Sequence, residues 1–413
     1  MKITEVTPIL CQGGMRTWTF VRVRTDGGVT GWGDATEWAR ARGHAAIIED
    51  LSPLVVGQSP FDIEKLWQTL WTASYVGGKD LNLAITGIET ALWDVVGKAL
   101  NAPVYNLLGG RCRDRVRLYY DYCDSFGGRY VDGGRWQEGD ESPEGVAAQA
   151  RLIKRQGYTA LKTHPVGLAP RPAVTRSASP KAVSDTVARV TAIREAVGDD
   201  VDICVDLGNR LDLPSSMAMA KALEPYRLMF LEDPIRQDES PRSYKRLCES
   251  TSTPIATGEN LYTVWEFREY LDAGALDSVL VDVCHAGVLQ AKKIAALAEA
   301  HHLPVAPHNP NSPLSTVISG HLCANIPNFL ALEIFAADRE PPWRDRVMSP
   351  PLGSLIADGH LALPSGPGWG VEIDEAELAK HPYEEAWYSR AMNETERGAG
   401  AAPAAPTENP TRP

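Results

Sequence analysis

The chain has 413 residues, 44% hydrophobic and 23% charged, with a formal net charge of -12. That length suits two domains, or a large barrel with an accessory domain, and buries a substantial core without cross-links. The acidic balance argues against a nucleic-acid surface, which needs a basic stripe, and no apolar run is long enough to cross a bilayer.

The opening stretch MKITEVTPILCQGG alternates like a strand and lacks the marks of a secretory signal or a transit peptide, so a cytoplasmic location is expected. The seven cysteines (Cys11, Cys112, Cys123, Cys204, Cys248, Cys284, Cys323) form no C-x-x-C pair and read as reduced packing residues.

The first hundred residues read as α+β. Strand-like stretches at 2–9 and 18–25 are joined by a turn rich in glycine (Asp26, Gly27, Gly28), and helices follow. In the clearest of them, about 85–100, Ile85, Ile88, Leu92, Val95 and Ala99 recur at helical spacing, and Asn101, Ala102 and Pro103 mark its exit.

From 116 the pattern changes to short apolar strands separated by amphipathic helices. Eight strands are expected at 116–121, 159–164, 201–206, 228–232, 254–259, 278–282, 304–308 and 330–334. Such units with parallel crossovers predict an α/β fold with a TIM-type barrel, an open doubly wound sheet being the competitor. Two long connections, 122–143 and 165–180, follow strands and would lie on the catalytic face. Residues 351–395 leave the strand–helix rhythm and are expected to return to the N-terminal unit. The tail, 396–413, is rich in Ala, Pro, Gly and Thr and is expected to be disordered.

The informative feature is where polar residues fall. Asp206, Glu232, Glu259, Asp282 and His308 end consecutive strands, and Glu333 lies near the end of the last. Carboxyl ends of barrel strands face the site, so Asp206, Glu232 and Glu259 would converge. Like charges that close need a compensating cation, and Mg²⁺ takes oxygen ligands of this kind. A lone carboxylate at a strand end more often caps a helix; three in consecutive units point to a metal. Asp282 and His308 suit a dyad in which the carboxylate fixes the imidazole tautomer, the alternative being an ordinary turn histidine. Alternation places Lys162 and His164 on one face of the second strand, within reach of a bound substrate.

The stretch ITGIETALWDVVGKALNAPVYNLLGGRCRDRVRLY (85–119), LEDP (231–234), PIATGEN (254–260) and VAPHN (305–309) together resemble the mandelate racemase branch of the enolase superfamily. The resemblance covers nearly the whole chain except the tail. It implies an α+β capping domain over 1–115, a modified (β/α)7β barrel over 116–350, and one Mg²⁺ on the three acidic residues. It also implies acid and base groups on strands two, six and seven, a chemistry for which this superfamily is itself a standard illustration.

Within that branch, LEPYRLMFLEDP (223–234), PIATGENLYTVWEF (254–267) and VCHAG (283–287) most resemble sugar-acid dehydratases acting on galactonate- or mannonate-like substrates. Two positions depart from the family. Those dehydratases often carry a histidine two residues after the first metal ligand, where Gly208 stands here. The racemases carry a second lysine on strand two, where His164 stands.

The expected reaction removes the proton α to a carboxylate and expels the C3 hydroxyl of an aldonate or aldarate, giving a 2-keto-3-deoxy acid. His308 or a strand-two base would take the C2 proton, and His308 or His164 would assist hydroxyl loss. Lys162 and Glu333 would help to stabilise the developing charge. Racemisation, epimerisation or lactone cycloisomerisation through the same enediolate is the alternative, and a non-catalytic binding protein a third. Arg210, His285 and Trp18 are expected to touch substrate, with Arg16, Trp38 and Tyr75 as further specificity candidates. The expected partners are a small sugar acid and further copies of the chain, as a homo-oligomer.

Overall fold

The chain opens with an N-terminal antiparallel meander of β1 (Ile3–Gly13), β2 (Arg16–Thr25), in which Val21, Arg22, Val23 and Arg24 alternate, and β3 (Thr30–Asp34). The structure, a computed structural model, describes residues 1–14, 16–75, 77–122, 129–131, 135–137, 140–164, 177–237, 240–335 and 340–384. The glycine-bearing turn at 26–28 joins β2 to β3, whereas β1 and β2 meet where Gly13 pairs with Arg16. The third strand escapes the alternation rule because two of its five residues are glycines. They are needed for close approach: a Cβ on Gly31 would stand 2.4 Å from the Ala91 carbonyl, and one on Gly33 2.1 Å from that of Gly87.

The helix behind those carbonyls is α3 (Lys79–Ala99), which follows α1 (Ala41–Val55) and α2 (Ile63–Ala73). It begins one and a half turns earlier than its apolar spacing predicts. Val21, Val23, Ile48, Leu66, Ile85 and Ile88 belong to the separate core of this N-terminal unit.

The barrel strands are β4 (Arg115–Tyr122), β5 (Ala160–Thr163), β6 (Asp202–Asp206), β7 (Phe230–Glu232), β8 (Ile255–Thr257), β9 (Ser278–Val279) and β10 (Leu332–Phe335). Each pairs in parallel with its predecessor from β5 to β9, and β10 returns to β4, which makes the sheet a closed barrel. The strand expected at 304–308 contracts to Val305, which bridges Val279 and Phe329. Pro304 and Pro307 flank it and have no N–H to give to a ladder.

The intervening helices start where short polar residues accept a backbone N–H. Ser142, Ser179, Asp212, Ser240, Thr263, Asp282 and Ser312 cap the helices α4 (Pro143–Arg155), α5 (Pro180–Val197), α6 (Leu213–Leu223), α7 (Pro241–Cys248), α8 (Val264–Ala273), α9 (Val283–Ala300) and α10 (Pro313–Asn325).

Inside the ring, Tyr119, Ala160, Cys204, Phe230, Ala256, Leu280, Ala306 and Ala331 form one buried layer. Strand side chains alternate, so the residue two further along each strand points inward one layer nearer the carboxyl rim. Those residues are Asp121, Lys162, Asp206, Glu232, Gly258, Asp282, His308 and Glu333. An apolar floor therefore carries an almost wholly ionisable ceiling.

The C-terminal segment touches both units. His360–Ala362 pairs antiparallel with the start of β4. Trp369 donates its backbone N–H to Asp94 and its indole N–H to the Trp32 carbonyl, both at 2.9 Å, and the Gln12 N–H donates to His381 at 3.0 Å. Among the described residues no helix is long and apolar enough to cross a membrane. The expected tail 396–413, half of 122–143 and most of 165–180 lie outside the described residues.

Candidate active site

The ionisable ceiling opens into a cavity of about 210 Å³ whose walls include Asp121, Lys162, His164, Asp206, Glu259, His308 and Glu333. The N-terminal unit supplies the facing wall through Glu37, Trp38, Ala39, Arg40 and Lys79. Neither unit encloses the space alone.

Lys162 is 1% exposed, and its ammonium stands 2.7 Å from Glu333, 3.1 Å from Glu232 and 3.8 Å from Asp206. Burial opposes its charge, but Glu232 and Glu333 outweigh that and raise its pKa well above the ordinary lysine range. It is a fixed cation among three acids.

His308 lies between two carboxylates. Its Nδ1 is 2.7 Å from Asp282 Oδ2 and its Nε2 is 3.0 Å from Glu259 Oε2. Burial works against the imidazolium, yet Glu259, Glu333 and Asp282 push its pKa well above the usual histidine range. Asp282 is held low, against its own burial, by His285 and His308. Asn311 also donates to Asp282 Oδ2 at 2.9 Å, while Asp282 Oδ1 caps α9. The carboxylate is thus fixed at both oxygens.

A second imidazole sits on another arc of the ring. His164 Nε2 is 2.9 Å from Asp121 Oδ1 and its Nδ1 is 3.3 Å from Asp206 Oδ2. Burial opposes its charge, and Asp206 and Asp121 raise its pKa. Asp121 escaped the sequence reading, although the two-residue step from Tyr119 along a buried strand was the signal that could have found it.

Asp206 and Glu259 face the cavity, and Glu232 lies fully buried beneath it. Among the described residues, the one trio of potential ligands whose donor atoms lie within 4.8 Å of one another is Asp282, His285 and His308. The expected ligands Asp206, Glu232 and Glu259 stand wider, with Glu259 turned toward His308. Their chemistry nevertheless fits a hard dication: all three offer oxygen, and Glu232 Oε2 accepts no well-formed hydrogen bond. Burial and the neighbouring Asp206, Glu333 and Asp233 carboxylates push the Glu232 pKa well up, with only Lys162 opposing. A group that would have to neutralise itself in isolation is one that a cation stabilises. Of the Asp282 trio, Asp282 and His308 are already hydrogen-bonded to each other.

Gly258 explains why the carboxylate of the fifth strand falls one residue late. It occupies the inward position of its strand with φ 136°, and a Cβ there would lie 2.7 Å from the Phe267 ring, so the acid is carried by Glu259.

The expected substrate contacts divide. Arg210 lines the cavity. His285 and Trp18 do not. His285 lies below the wall, its Nδ1 2.9 Å from the Glu259 carbonyl oxygen and its Nε2 3.5 Å from Asp282. Trp18 is 1% exposed and packs edge-on against Phe20, with Gly13 left bare so that the indole fits. Of the further candidates, Trp38 lines the cavity, Arg16 stacks on the Trp38 ring without itself lining it, and Tyr75 is fully exposed outside it. Glu37, Lys79 and Asn260 joined the site without being foreseen; Lys79 pairs with Glu37 at 3.1 Å and donates to Asn260 at 3.2 Å.

The chain is similar to known proteins over most of its length. Residues 145–377 match the family model described as enolase C-terminal domain-like. Residues 9–109 match that of the mandelate racemase / muconate lactonizing enzyme N-terminal domain. A protein of Xanthomonas oryzae pv. oryzae named D-galactonate dehydratase is 35% identical over 389 residues, covering 92% of this chain and 94% of the relative. One of the same name from Ralstonia pickettii is 35% identical over 381 residues, covering 91% and 93%. The crystal structure of a mandelate racemase/muconate lactonizing enzyme-like protein from Rubrobacter xylanophilus superposes with a TM-score of 0.84 at 36% identity, covering 93% of this chain and 98% of that one.

Proposed function

This chain belongs to the mandelate racemase / muconate lactonizing enzyme family of the enolase superfamily, and from that membership we propose that it is a Mg²⁺-dependent hydro-lyase that dehydrates a sugar acid. The observation that carries the reading is the pair of imidazoles, His164 and His308, each backed by its own carboxylate and both facing one cavity.

Asp206, Glu232 and Glu259 would hold the ion. When bound, Mg²⁺ would neutralise negative charge on the substrate carboxylate and so acidify the proton at C2. Lys162 adds a fixed positive charge at the same end of the cavity, with no reorganisation needed as charge develops. His308 is the acid: Asp282 keeps its Nδ1 protonated, so Nε2 can deliver a proton to the hydroxyl leaving C3. His164, oriented by Asp121, takes the proton from C2. The enol released then becomes a 2-keto-3-deoxy acid. The named relatives, both dehydratases, support this outcome over others of the same intermediate. Two imidazoles would also permit inversion at C2, which is the second reading.

Incubation with Mg²⁺ and a panel of aldonic and aldaric acids, assayed for 2-keto acid, tests the reading. His308→Asn is expected to abolish product while preserving exchange of the C2 hydrogen with deuterated solvent, and His164→Asn to abolish both. Exchange or epimerisation by the native protein without 2-keto acid would replace dehydration by the second reading.

A further inference from the structure

Arg16, the first residue of β2, is 3% exposed, yet only one of its guanidinium nitrogens is bonded. Nη1 donates to Asn311 at 3.0 Å, while Nε and Nη2 have no hydrogen-bond partner among the described residues. A buried donor left unpaired costs about 1–3 kcal/mol, and more when it is charged. Such an arrangement persists where a ligand completes it.

The geometry indicates which ligand. The guanidinium carbon lies 3.5 Å from the ring centre of Trp38, a residue of the cavity wall. At that distance the guanidinium rests against the indole, and its N–H edge is what remains for bonding. Nε–H and Nη2–H run side by side along one edge, the fork that takes both oxygens of a carboxylate. A single hydroxyl fills only half of it. No described carboxylate pairs with Arg16; burial lowers its pKa, and Glu37, Glu333, Asp282 and Asp121 oppose that only in part. Arg40, Lys79 and Arg210 add positive charge to the same outer wall.

Resting on the reading that this cavity dehydrates a sugar acid, we propose that the substrate is a dicarboxylic sugar acid, an aldarate, whose far carboxylate is received by the open edge of Arg16. The near carboxylate lies at the end bearing Lys162. Arg16 is then the residue that separates diacids from monoacids, which end in a hydroxymethyl group.

Arg16 also steadies Asn311, which donates to Asp282. A substitution can therefore lower turnover of every substrate, so the test reads a ratio. With Mg²⁺ present, kcat/KM is measured for six-carbon aldarates and aldonates of matched configuration. The native protein is expected to favour the aldarate, and Arg16→Met to reduce the aldarate-to-aldonate ratio by about 10–100-fold, the loss for hydrogen bonds to a charged group. Arg16→Lys, which keeps the charge without the fork, should fall between. An unchanged ratio in Arg16→Met, or native preference for the aldonate, overturns the proposal. If neither class is converted, the dehydratase reading fails by itself, and calorimetric binding in Mg²⁺ decides the role of Arg16. Weakening confined to the aldarate supports it, and equal binding by native and variant protein overturns it.

Discussion

The His164 imidazole stands 2.9 Å from Asp121, as His308 stands 2.7 Å from Asp282, so two pairs of neighbouring strands, far apart in sequence, carry the same acid–imidazole pairing. If both pairs move protons, Asp121→Asn should lower kcat by about 10²–10⁴-fold, the usual contribution of a positioned acid or base. The rate of 2-keto acid formation at saturating Mg²⁺ measures this. A variant within twofold of the native rate would remove the first pair from the mechanism.

Replacing Lys162 by Met takes the cation from between Glu232 and Glu333. Breaking one side of a buried ion pair costs about 3–5 kcal/mol, because the remaining charge is left in a poor solvent. Urea unfolding in the presence of chelator should register that loss. A change below about 1 kcal/mol would contradict the account of Lys162 as the internal counter-charge.

Chelation should act more gently than that substitution. A ligand at a hundredfold excess over its dissociation constant stabilises by about 2.7 kcal/mol. EDTA is therefore expected to abolish turnover and lower the unfolding midpoint while the far-ultraviolet spectrum stays native. Asp206→Asn and Glu259→Gln should shrink the difference between chelated and Mg²⁺-loaded protein. A Mg²⁺-dependence equal to the native one in both would exclude them as ligands.

Glu89 on α3 accepts from the backbone N–H groups of Val288 and Leu289 and from the Trp93 indole, capping α9 where it resumes after the kink at Gly287. Burial pushes its carboxyl up to about 7 from 4.5, against those donors. The folded protein then keeps a proton that the unfolded chain has released. This contribution to stability is complete below pH 4.5 and lost as pH rises through 7, a fall of about 3 kcal/mol at 1.36 kcal/mol per pKa unit. Glu89→Gln should be less stable at pH 5 and show a flatter decline between pH 5 and pH 8 in urea titrations. Equal slopes would show that Glu89 does not titrate in that window.

The barrel was legible because its chemistry repeats. Asp206, Glu232, Asp282, His308 and Glu333 each follow a small or apolar inward residue by two positions, and a strand can be read that way without coordinates. Asp121 obeys the same rule but lies in VRLYYDY, where two tyrosines hide the alternation. Pro304 and Pro307 bound an apolar run that sequence reads as a strand and hydrogen bonding reduces to one residue. The wall from the N-terminal unit was less accessible. Glu37, Lys79 and the open edge of Arg16 acquire meaning only from the docking of one unit on the other, which no local spacing encodes. Trp18 shows the reverse case, since an aromatic near a site-forming turn is most often there to be packed.

The ammonium of Lys162, seated among Glu333, Glu232 and Asp206, does for the empty protein part of what an ion would do for the working one. Nascent chains can therefore complete the ring and bury its acidic end before any cation arrives. On the proposed Mg²⁺ dependence, maturation becomes a matter of loading a finished vessel, and scarcity of the ion would leave a reserve of intact, idle molecules.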